Sequence, residues 1–412
     1  MAQTCSCAPS APLTFFIGLD VGVTYSGAYG VLVEHCKEHK VFNVLGHVEV
    51  EKFPTLLSRD GLTEVKFLPP KAEVNPDDEI LSYFKMGVMD LNDPIFSQAD
   101  DEVVQGLKDC WKKQPTYVVA PKAFSIFLHG LYHHVIRRSE IVFAAMAHAH
   151  VPVKIIATFP ACWGQALHRP SIQTAFYTEG AYGVNDMTLE EEHVAALRGL
   201  MQSEPDTIQS LRDAKETAII CDIGGLTTDA VVHRFCPIVG ASTSPRVWIS
   251  CLNGGCLIDE EFSKELDREI ERHIPEPYRL AHADEMREFK HSFMTQWREK
   301  DKLNYDPANY GDSLDFKIRE WTLTIQHATF IRLFDQLLEH VVAIIKEAYD
   351  KECDLPVKAP TKVILVGGLS RCKYLVSALT EQVAKWGMEI CHAPSRSRWN
   401  IVALGASYHQ QP

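Results

Sequence analysis

The chain has 412 residues, of which 46% are hydrophobic and 23% charged, the composition of a globular protein with a substantial buried core. Its 41 basic and 54 acidic residues give a formal net charge of −13, so we expect neither nucleic acid nor an anionic membrane as the main partner. No apolar run approaches the roughly 18 to 20 residues that span a bilayer. We therefore expect a cytoplasmic protein of two or three domains.

The N-terminus, the cysteines and the histidines carry no processing or metal signal. Residues 1–13 lack the regions of a secretory signal, and we predict a disordered tail there. The twelve cysteines form no C-x-x-C pair, which indicates reduced, partly buried thiols. The doublets His133/His134 and His148/His150 lack the i, i+4 spacing with a carboxylate expected of a metal-binding helix, so we assign them no metal.

The first half of the chain is predicted to begin with strands. FFIGLDVG and AYGVLVE flank a turn rich in Gly, Thr and Ser, and residues 14–60 read as strands throughout. Residues 61–100 are predicted to be loops and 101–150 to be helical. A strand at VKIIATFP follows, and then helices at ALHRPSIQTAFYTEG and EEEHVAALRGLMQ.

The second half shows a similar succession. A second strand–turn–strand segment occupies 217–235, a helix begins at GGCLIDEEF, and 281–350 is predicted to be helical and charged. The last predicted elements are the strand KVILVGG, the helix RCKYLVSALTEQVAKWG, the strand MEICHA and the helix RWNIVALGASYHQ. Because strand–helix units occur in both halves, we predict an α/β protein with two related lobes, at 14–205 and 206–412, the second with a helical subdomain at about 258–345.

Both strand–turn–strand segments have a strand that ends in an aspartate, Asp20 or Asp222, before a turn rich in Gly and Thr. The N–H groups of such a turn form a nest for phosphate oxygens, and Gly allows close approach. A carboxylate beside a polyphosphate is favourable when Mg²⁺ or a polarised water lies between them. Either segment alone is more typical of an ordinary hairpin. Two of them, followed by Gly367-Gly368 after a buried strand, predict a two-sided clamp on a nucleoside triphosphate.

This set of motifs resembles the nucleotide-binding domain of the seventy-kilodalton heat-shock chaperones, in the actin-like ATPase superfamily, and above all its divergent chaperone-like members common in fungi and also found in animals. GLDVGVTYSG resembles the first phosphate motif, DIGGLTTD the second and VILVGGLSR the adenosine motif; ATFPACW, EEEHVAAL and VALGAS resemble three further stretches. The resemblance runs from about Phe15 to Tyr408. It implies a two-lobed, duplicated ribonuclease H-like fold with a central nucleotide cleft.

The resemblance also implies the site residues and the cofactor, which would be ATP or ADP with Mg²⁺. Asp20 and Asp222 would lie beside a water-coordinated Mg²⁺ and the attacking water, with Glu191 near both, and Lys85 would reach the γ-phosphate. The residues that would line the phosphates are Gly22, Thr24, Tyr25, Gly224, Gly225 and Thr227. Those that would hold the nucleoside are Gly367, Gly368, Ser370 and Arg371, the arginine stacking on the adenine.

The chain departs from the family pattern at both phosphate motifs. Val23 stands where the family has a threonine, which removes a hydroxyl, and Leu226 stands where the family has a third glycine. A branched side chain there would meet the terminal phosphate, at a turn that can require a positive φ. Trp399 stands where the family has an aspartate near the adenine. Glu192 and His193 stand where the family has a Pro-Glu pair. Because losing one well-placed donor costs about two to three decades in rate, we expect nucleotide binding with weak or impaired hydrolysis.

Two alternatives to this chaperone-like function stay open. In the first, a degenerate ATPase uses its cleft for non-phosphoryl chemistry on a small diphosphate-bearing or hydrophobic metabolite, as in secondary metabolism. Asp20 and Asp222 would then act as acid/base groups or metal ligands, close in sequence to Cys221, Cys251 and Cys256. In the second alternative the protein is a non-catalytic scaffold.

The partners expected from the sequence are a nucleotide and, beyond it, a protein or a small-molecule substrate. After VALGAS the sequence shows no linker and no β-rich peptide-binding domain, so we expect no chaperone of the ordinary kind. A sugar kinase of the same superfamily would need a catalytic aspartate in a sugar-binding insertion, for which the sequence has no convincing candidate.

Overall fold

The structure is a computed structural model that describes residues 13–36, 41–60, 64–69, 79–81, 85, 120–143, 151–160, 187–235, 247–307, 313–355, 358–392 and 400–409. Several predictions made from the sequence lie outside these residues: the tail before Leu13, the helix at ALHRPSIQTAFYTEG, the doublet His148/His150 and Trp399.

The described residues form fifteen strands. Their bounds are β1 Leu13–Val21, β2 Tyr25–Cys36, β3 Val41–Pro54, β4 Leu57–Asp60, β5 Glu64–Phe67, β6 Glu79–Leu81, β7 Val153–Phe159, β8 Met187–Glu191, β9 Thr217–Ile223, β10 Thr228–Arg234, β11 Trp248–Cys251, β12 Ser313–Ile318, β13 Trp321–Gln326, β14 Lys362–Val366 and β15 Glu389–His392.

Ten α-helices are present in the same ranges. They are α1 Ala120–Val142, α2 Glu192–Ser203, α3 Pro205–Asp213, α4 Gly255–His273, α5 Glu276–Ala281, α6 Ala283–Gln296, the single turn α7 Lys302–Asn304, α8 His327–Cys353, α9 Lys373–Ala384 and α10 Ile401–Ser407. A π-helical turn, Trp297–Asp301, joins α6 to α7, and a one-turn 3₁₀ helix, Gly368–Arg371, precedes α9.

Contacts divide the chain into two compact units. The first comprises Met1–Glu216, His233–Ser244 and Ala393–Pro412, and the second Thr217–Val232 and Pro245–His392. Compared with the lobes predicted from the sequence, the first unit extends to Glu216 and also contains the C-terminal segment.

The main sheet of the first unit has the strand order β3–β2–β1–β7–β8. β2 runs antiparallel to β1 and β3, whereas β7 is parallel to β1 and to β8. β1 lies at the centre and is buried from Phe15 to Val21, which explains its nearly continuous apolar sequence. The strands predicted at FFIGLDVG and VKIIATFP are confirmed as β1 and β7.

The second main sheet has the order β11–β10–β9–β14–β15. Its β11 is antiparallel to β10, and β14 is parallel to both β9 and β15. In each sheet, counted along the chain, the strands follow the order third, second, first, fourth, fifth. The described part of the chain is therefore a mixed α/β protein in which one sheet order occurs twice.

Two stretches differ from the sequence prediction. The predicted loop at 61–100 contains β5 and β6, which pair with β4 in a small sheet. The predicted helical stretch at 281–350 is interrupted by the hairpin β12–β13. Buried and more exposed positions alternate along these two strands, and this period of two favours strand over helix.

No helix within the described ranges is both long and apolar enough to cross a bilayer.

Candidate functional site

The turn between β9 and β10 follows Asp222 and closes tightly on itself. The Gly224 N–H donates to the Thr227 carbonyl at 2.9 Å. A Cβ on Gly224 would lie 2.8 Å from that same carbonyl oxygen, so a larger residue would force the turn to shift. The sequence therefore forms a compact loop here because glycine stands three residues before Thr227.

The first turn of α4 supports this loop from behind. The amides of Gly255 and Cys256 donate to the carbonyls of Gly224 and Gly225, at 3.1 and 2.6 Å. In a trans peptide the carbonyl of one residue and the N–H of the next point in opposite directions. With both carbonyls directed at α4, the amides of Gly225 and Leu226 point away from it. Successive amides on one side of a turn are the donors of an anion-binding nest.

The segment after β14 meets the same loop. β14 pairs with β9 so that Val366 lies opposite Asp222. Gly367 has a φ of 85°, and a Cβ on it would lie 2.1 Å from Asp222 Oδ1. Gly368 differs, since a Cβ there would meet nothing within 4 Å. The backbone beside Gly368 therefore borders open space next to the aspartate.

Two further residues of the predicted adenosine motif lie in the 3₁₀ turn. The Ser370 hydroxyl is buried and donates to the Gly367 carbonyl at 2.8 Å, so it stabilises the turn itself. Arg371 ends the turn and is partly exposed. Asp222, Gly224, Gly225, Thr227, Gly367 and Gly368 are thus brought together within the second unit, with Ser370 as a supporting residue.

A buried ion pair anchors α4 at this place. Asp259, one turn into the helix, accepts hydrogen bonds from Lys302 Nζ at 2.8 and 2.9 Å and from Trp297 Nε1 at 2.8 Å. All three side chains are buried. This ion pair and the contact of Gly255 with the loop were not predicted from the sequence, although a Gly-Gly pair at the start of a helix was a visible signal.

The turn between β1 and β2 in the first unit has related geometry. Asp20 is buried at the end of β1, and a Cβ on Gly22 would lie 2.2 Å from the Tyr25 carbonyl oxygen. This is the relation of Gly224 to Thr227, again three residues apart. The Thr24 carbonyl accepts the Thr55 N–H at 2.8 Å, which fixes the turn against the residue that follows β3. Asp20, Gly22, Thr24 and Tyr25 therefore share one supported turn.

Lys85 and Glu191 lie near the start of α2. Lys85 is 2% exposed, and its Nζ donates to Glu192 Oε1 at 3.1 Å. Glu191 precedes the first turn of α2, and its Oε2 lies 3.1 Å from His193 Nε2. Glu192, which the sequence marked only as a departure from the family pattern, is thus one partner of Lys85.

The two motif substitutions are both buried. Val23 is 7% exposed and Leu226 only 1%. Among the described non-glycine residues, a positive φ occurs only at Lys215 and Arg319. The expectation that the turn places Leu226 at a positive φ is therefore wrong, because the loop closes through Gly224 and its supporting bonds to α4.

The thiols near the second turn are poorly suited to nucleophilic chemistry. Cys221 and Cys256 are buried, and burial raises the pKa of each thiol well above its usual range. Burial is also the main cause that raises the pKa of Cys251, to about 11. All three are consequently protonated at neutral pH, and the thiolate is the reactive form.

The donor set suits a magnesium ion that is shared with a ligand. No group of three or more His, Cys, Asp or Glu side chains with metal-binding geometry occurs within the described ranges. Mg²⁺ usually takes one or two carboxylates and completes its shell with phosphate oxygens and water. An aspartate beside outward-pointing backbone amides, as at Asp222, matches this type of coordination.

The sequence was compared with protein-family models and with curated proteins, and neither comparison gave a match. The functional assignment therefore depends on the residues and geometry described above.

Proposed function

We propose that the protein belongs to the actin-like ATPase class, with a duplicated ribonuclease H-like fold, and that it binds ATP or ADP with Mg²⁺ and hydrolyses ATP slowly. The observation that carries this proposal is the meeting of Asp222, the β9–β10 loop and Gly367 in the second unit. The carboxylate suits a metal ion, and the outward-pointing amides suit a phosphate. The open backbone at the glycines leaves room for a nucleoside.

Two repeated features support the duplicated fold. Both main sheets have the same strand order, and in both the central first strand ends near an aspartate. Both following turns bring a glycine against the carbonyl three residues later. One such turn is an ordinary structural feature, whereas the same turn at the same place in two identically ordered sheets favours duplication.

Each group then has a role in the proposed reaction. The amides of the β9–β10 loop bind phosphate oxygens, and Gly368 receives the nucleoside on bare backbone. Asp222 would hold Mg²⁺ through water and orient the attacking water, and the resemblance to the chaperones implies the same role for Asp20. When bound, Mg²⁺ would supply positive charge that compensates the phosphates. The resemblance to the chaperones predicts that the β1–β2 turn contacts the same nucleotide.

Slow hydrolysis follows from two features of the first unit. Val23 offers no hydroxyl to the phosphates. The charge of Lys85 is compensated by Glu192 at 3.1 Å, which weakens the field it exerts on a γ-phosphate. Because phosphoryl transfer depends on charge stabilisation and positioning, both features lower the rate more than the affinity.

The metabolite alternative finds less support. Its candidate thiols are protonated and largely buried. No single observation favours the scaffold alternative. The partner beyond the nucleotide, whether a protein or a small molecule, follows from the resemblance alone.

Titration calorimetry with Mg-ATP and Mg-ADP tests the proposal. We expect the full chain to bind both, and Asp222→Asn to weaken the Mg²⁺-dependent affinity by at least about tenfold. Asp267→Asn is a matched control, since Asp267 lies on the exposed side of α4 in a surface pair with Lys290. Absence of heat with both nucleotides would contradict the proposal, as would equal losses in the two variants.

A further inference from the structure

Helix α1 carries two histidines one turn apart on a solvent-accessible face. His129 is partly exposed and His133 exposed. Their Nε2 atoms are 3.0 Å apart, closer than the ring centroids at 4.3 Å, so the two nitrogens lie on facing edges of the rings. The ring planes are nearly perpendicular, at 88°. Positions i and i+4 are the spacing at which two side chains on a helix converge.

The separation of these nitrogens suits a chelated transition metal. With metal–nitrogen bonds of about 2.0–2.1 Å, two nitrogens 3.0 Å apart subtend an angle of roughly 95° at the metal. That is the angle between neighbouring ligands in square-planar and octahedral complexes, and it is narrower than the tetrahedral angle of about 109°. The geometry therefore favours Cu²⁺ and Ni²⁺ over the tetrahedral coordination typical of Zn²⁺.

Metal binding requires a change at both Nε2 atoms, because they contact each other at 3.0 Å when no metal is bound. A neutral imidazole is the form that binds metals. Without a metal, one Nε2–H donates to the other nitrogen; chelation needs that proton on Nδ1 of the same ring instead. Among the described residues, no carboxylate or thiol completes a group of three, and the proposed site is one of two histidines with water as the further ligands.

We propose that His129 and His133 form a two-histidine binding site for Cu²⁺, with Ni²⁺ as the next preferred ion. Cu²⁺ is favoured by its place at the top of the stability order for nitrogen ligands. The site is separate from the proposed nucleotide function. In the sequence His133 is paired with its neighbour His134, whereas in the structure it contacts His129.

A Cu²⁺ titration of the full chain against a competing chelator, followed by electron paramagnetic resonance, tests this proposal. We expect His129→Ala and His133→Ala each to weaken the tightest site by at least about tenfold and to remove one of its two nitrogen couplings. His340→Ala is the control, since His340 is an exposed helix residue with Gln336 and Ile344 at the i±4 positions. Circular dichroism confirms that each variant is folded.

Two results would overturn the proposal. One is unchanged Cu²⁺ affinity and stoichiometry in both site variants. The other is an equal loss in His340→Ala, because that would place the copper on scattered surface histidines.

Discussion

Gly367 approaches Asp222 so closely that a Cβ on the glycine would lie 2.1 Å from Asp222 Oδ1. The approach is fixed by the parallel pairing of β14 with β9, which ends with Val366 opposite Asp222. The chain then turns at Gly367 with a φ of 85°, a conformation that residues with a side chain rarely adopt. The aspartate proposed to act on the metal is therefore packed directly against the backbone proposed to bind the nucleoside.

Replacing Gly367 by alanine should destabilise the fold. Gly387→Ala is the matched control, because Gly387 also has a positive φ, of 74°, but open space around it. We expect the control to cost about 1–2 kcal/mol from the backbone alone. Gly367→Ala should cost at least about 2 kcal/mol more, because its Cβ displaces Asp222. Urea unfolding measures both, and equal losses would show that the close approach is absent.

Gly368→Ala should separate folding from binding. The new methyl group meets no protein atom within 4 Å, so we expect a change in unfolding free energy below about 0.5 kcal/mol. If the nucleoside lies on this backbone, the methyl group should weaken Mg-ADP binding by about tenfold. Calorimetry on wild type and variant measures the ratio. An unchanged affinity would remove the nucleoside from this position.

Leu226→Gly restores the residue of the chaperone motif, yet it should not restore activity. Because Leu226 is buried, its removal should cost about 2–5 kcal/mol, as for other buried leucines. Leu266→Ala on α4 is a matched buried control. Phosphate release should stay at or below the wild-type rate in both variants. A faster Leu226→Gly enzyme of unchanged stability would mean that Leu226 does obstruct the phosphates.

The pair Lys85–Glu192 should show strong coupling. Lys85→Met leaves a largely buried carboxylate without this cation and should cost about 3–5 kcal/mol. The double variant Lys85→Met/Glu192→Gln should recover much of that loss, since neither member of the pair then carries a charge. A double-mutant cycle by urea unfolding measures the coupling free energy. Additive effects would contradict the pairing.

Acid should destabilise the first unit through two buried histidines. His193 and His233 lie with ring centroids 5.2 Å apart. Burial lowers the pKa of His193 to about 4, and the His193 Nε2 makes no hydrogen bond to Glu191. Burial and the neighbouring His193 lower the pKa of His233 to about 3.

The unfolded chain takes up these protons near pH 6.5, whereas the folded chain does not. The two histidines therefore leave the free energy of unfolding unchanged above that pH and decrease it as the pH is lowered further. At pH 5 each histidine should cost about 2 kcal/mol. Urea unfolding at pH 7 and pH 5 measures this cost, and His193→Gln should reduce the difference whereas His340→Ala should not. The same pH dependence in all three proteins would rule out these histidines as its source.

The elements that the sequence predicts well are those whose signal is local. β1, β9 and β14 are apolar runs that end at Asp or Gly, and such runs identify buried strands without any knowledge of their partners. β5 and β6 escaped prediction because strands of four and three residues are too short to show alternation. Pairing with β4 determines them instead.

Within the candidate site, the glycines and aspartates could be predicted from the sequence. The residues that contact and stabilise them could not. Lys85 and Glu192 are 107 residues apart, and no local pattern links them. The burial of Leu226 depends on how the loop rests against α4, which begins about thirty residues later. By contrast, the i, i+4 spacing of His129 and His133 is visible in the sequence. The contact between them was not predicted, because His133 was paired with His134 instead.

Hydrogen–deuterium exchange on the full chain, with and without Mg-ATP, tests the central claim most directly. We predict slower exchange for the amides of Gly225 and Leu226 and for those of 367–371, and also for the β1–β2 turn at 22–25. The exposed helix α5, which lies outside these motifs, should exchange at the same rate in both conditions. Unchanged exchange at all three segments under saturating Mg-ATP would contradict the account.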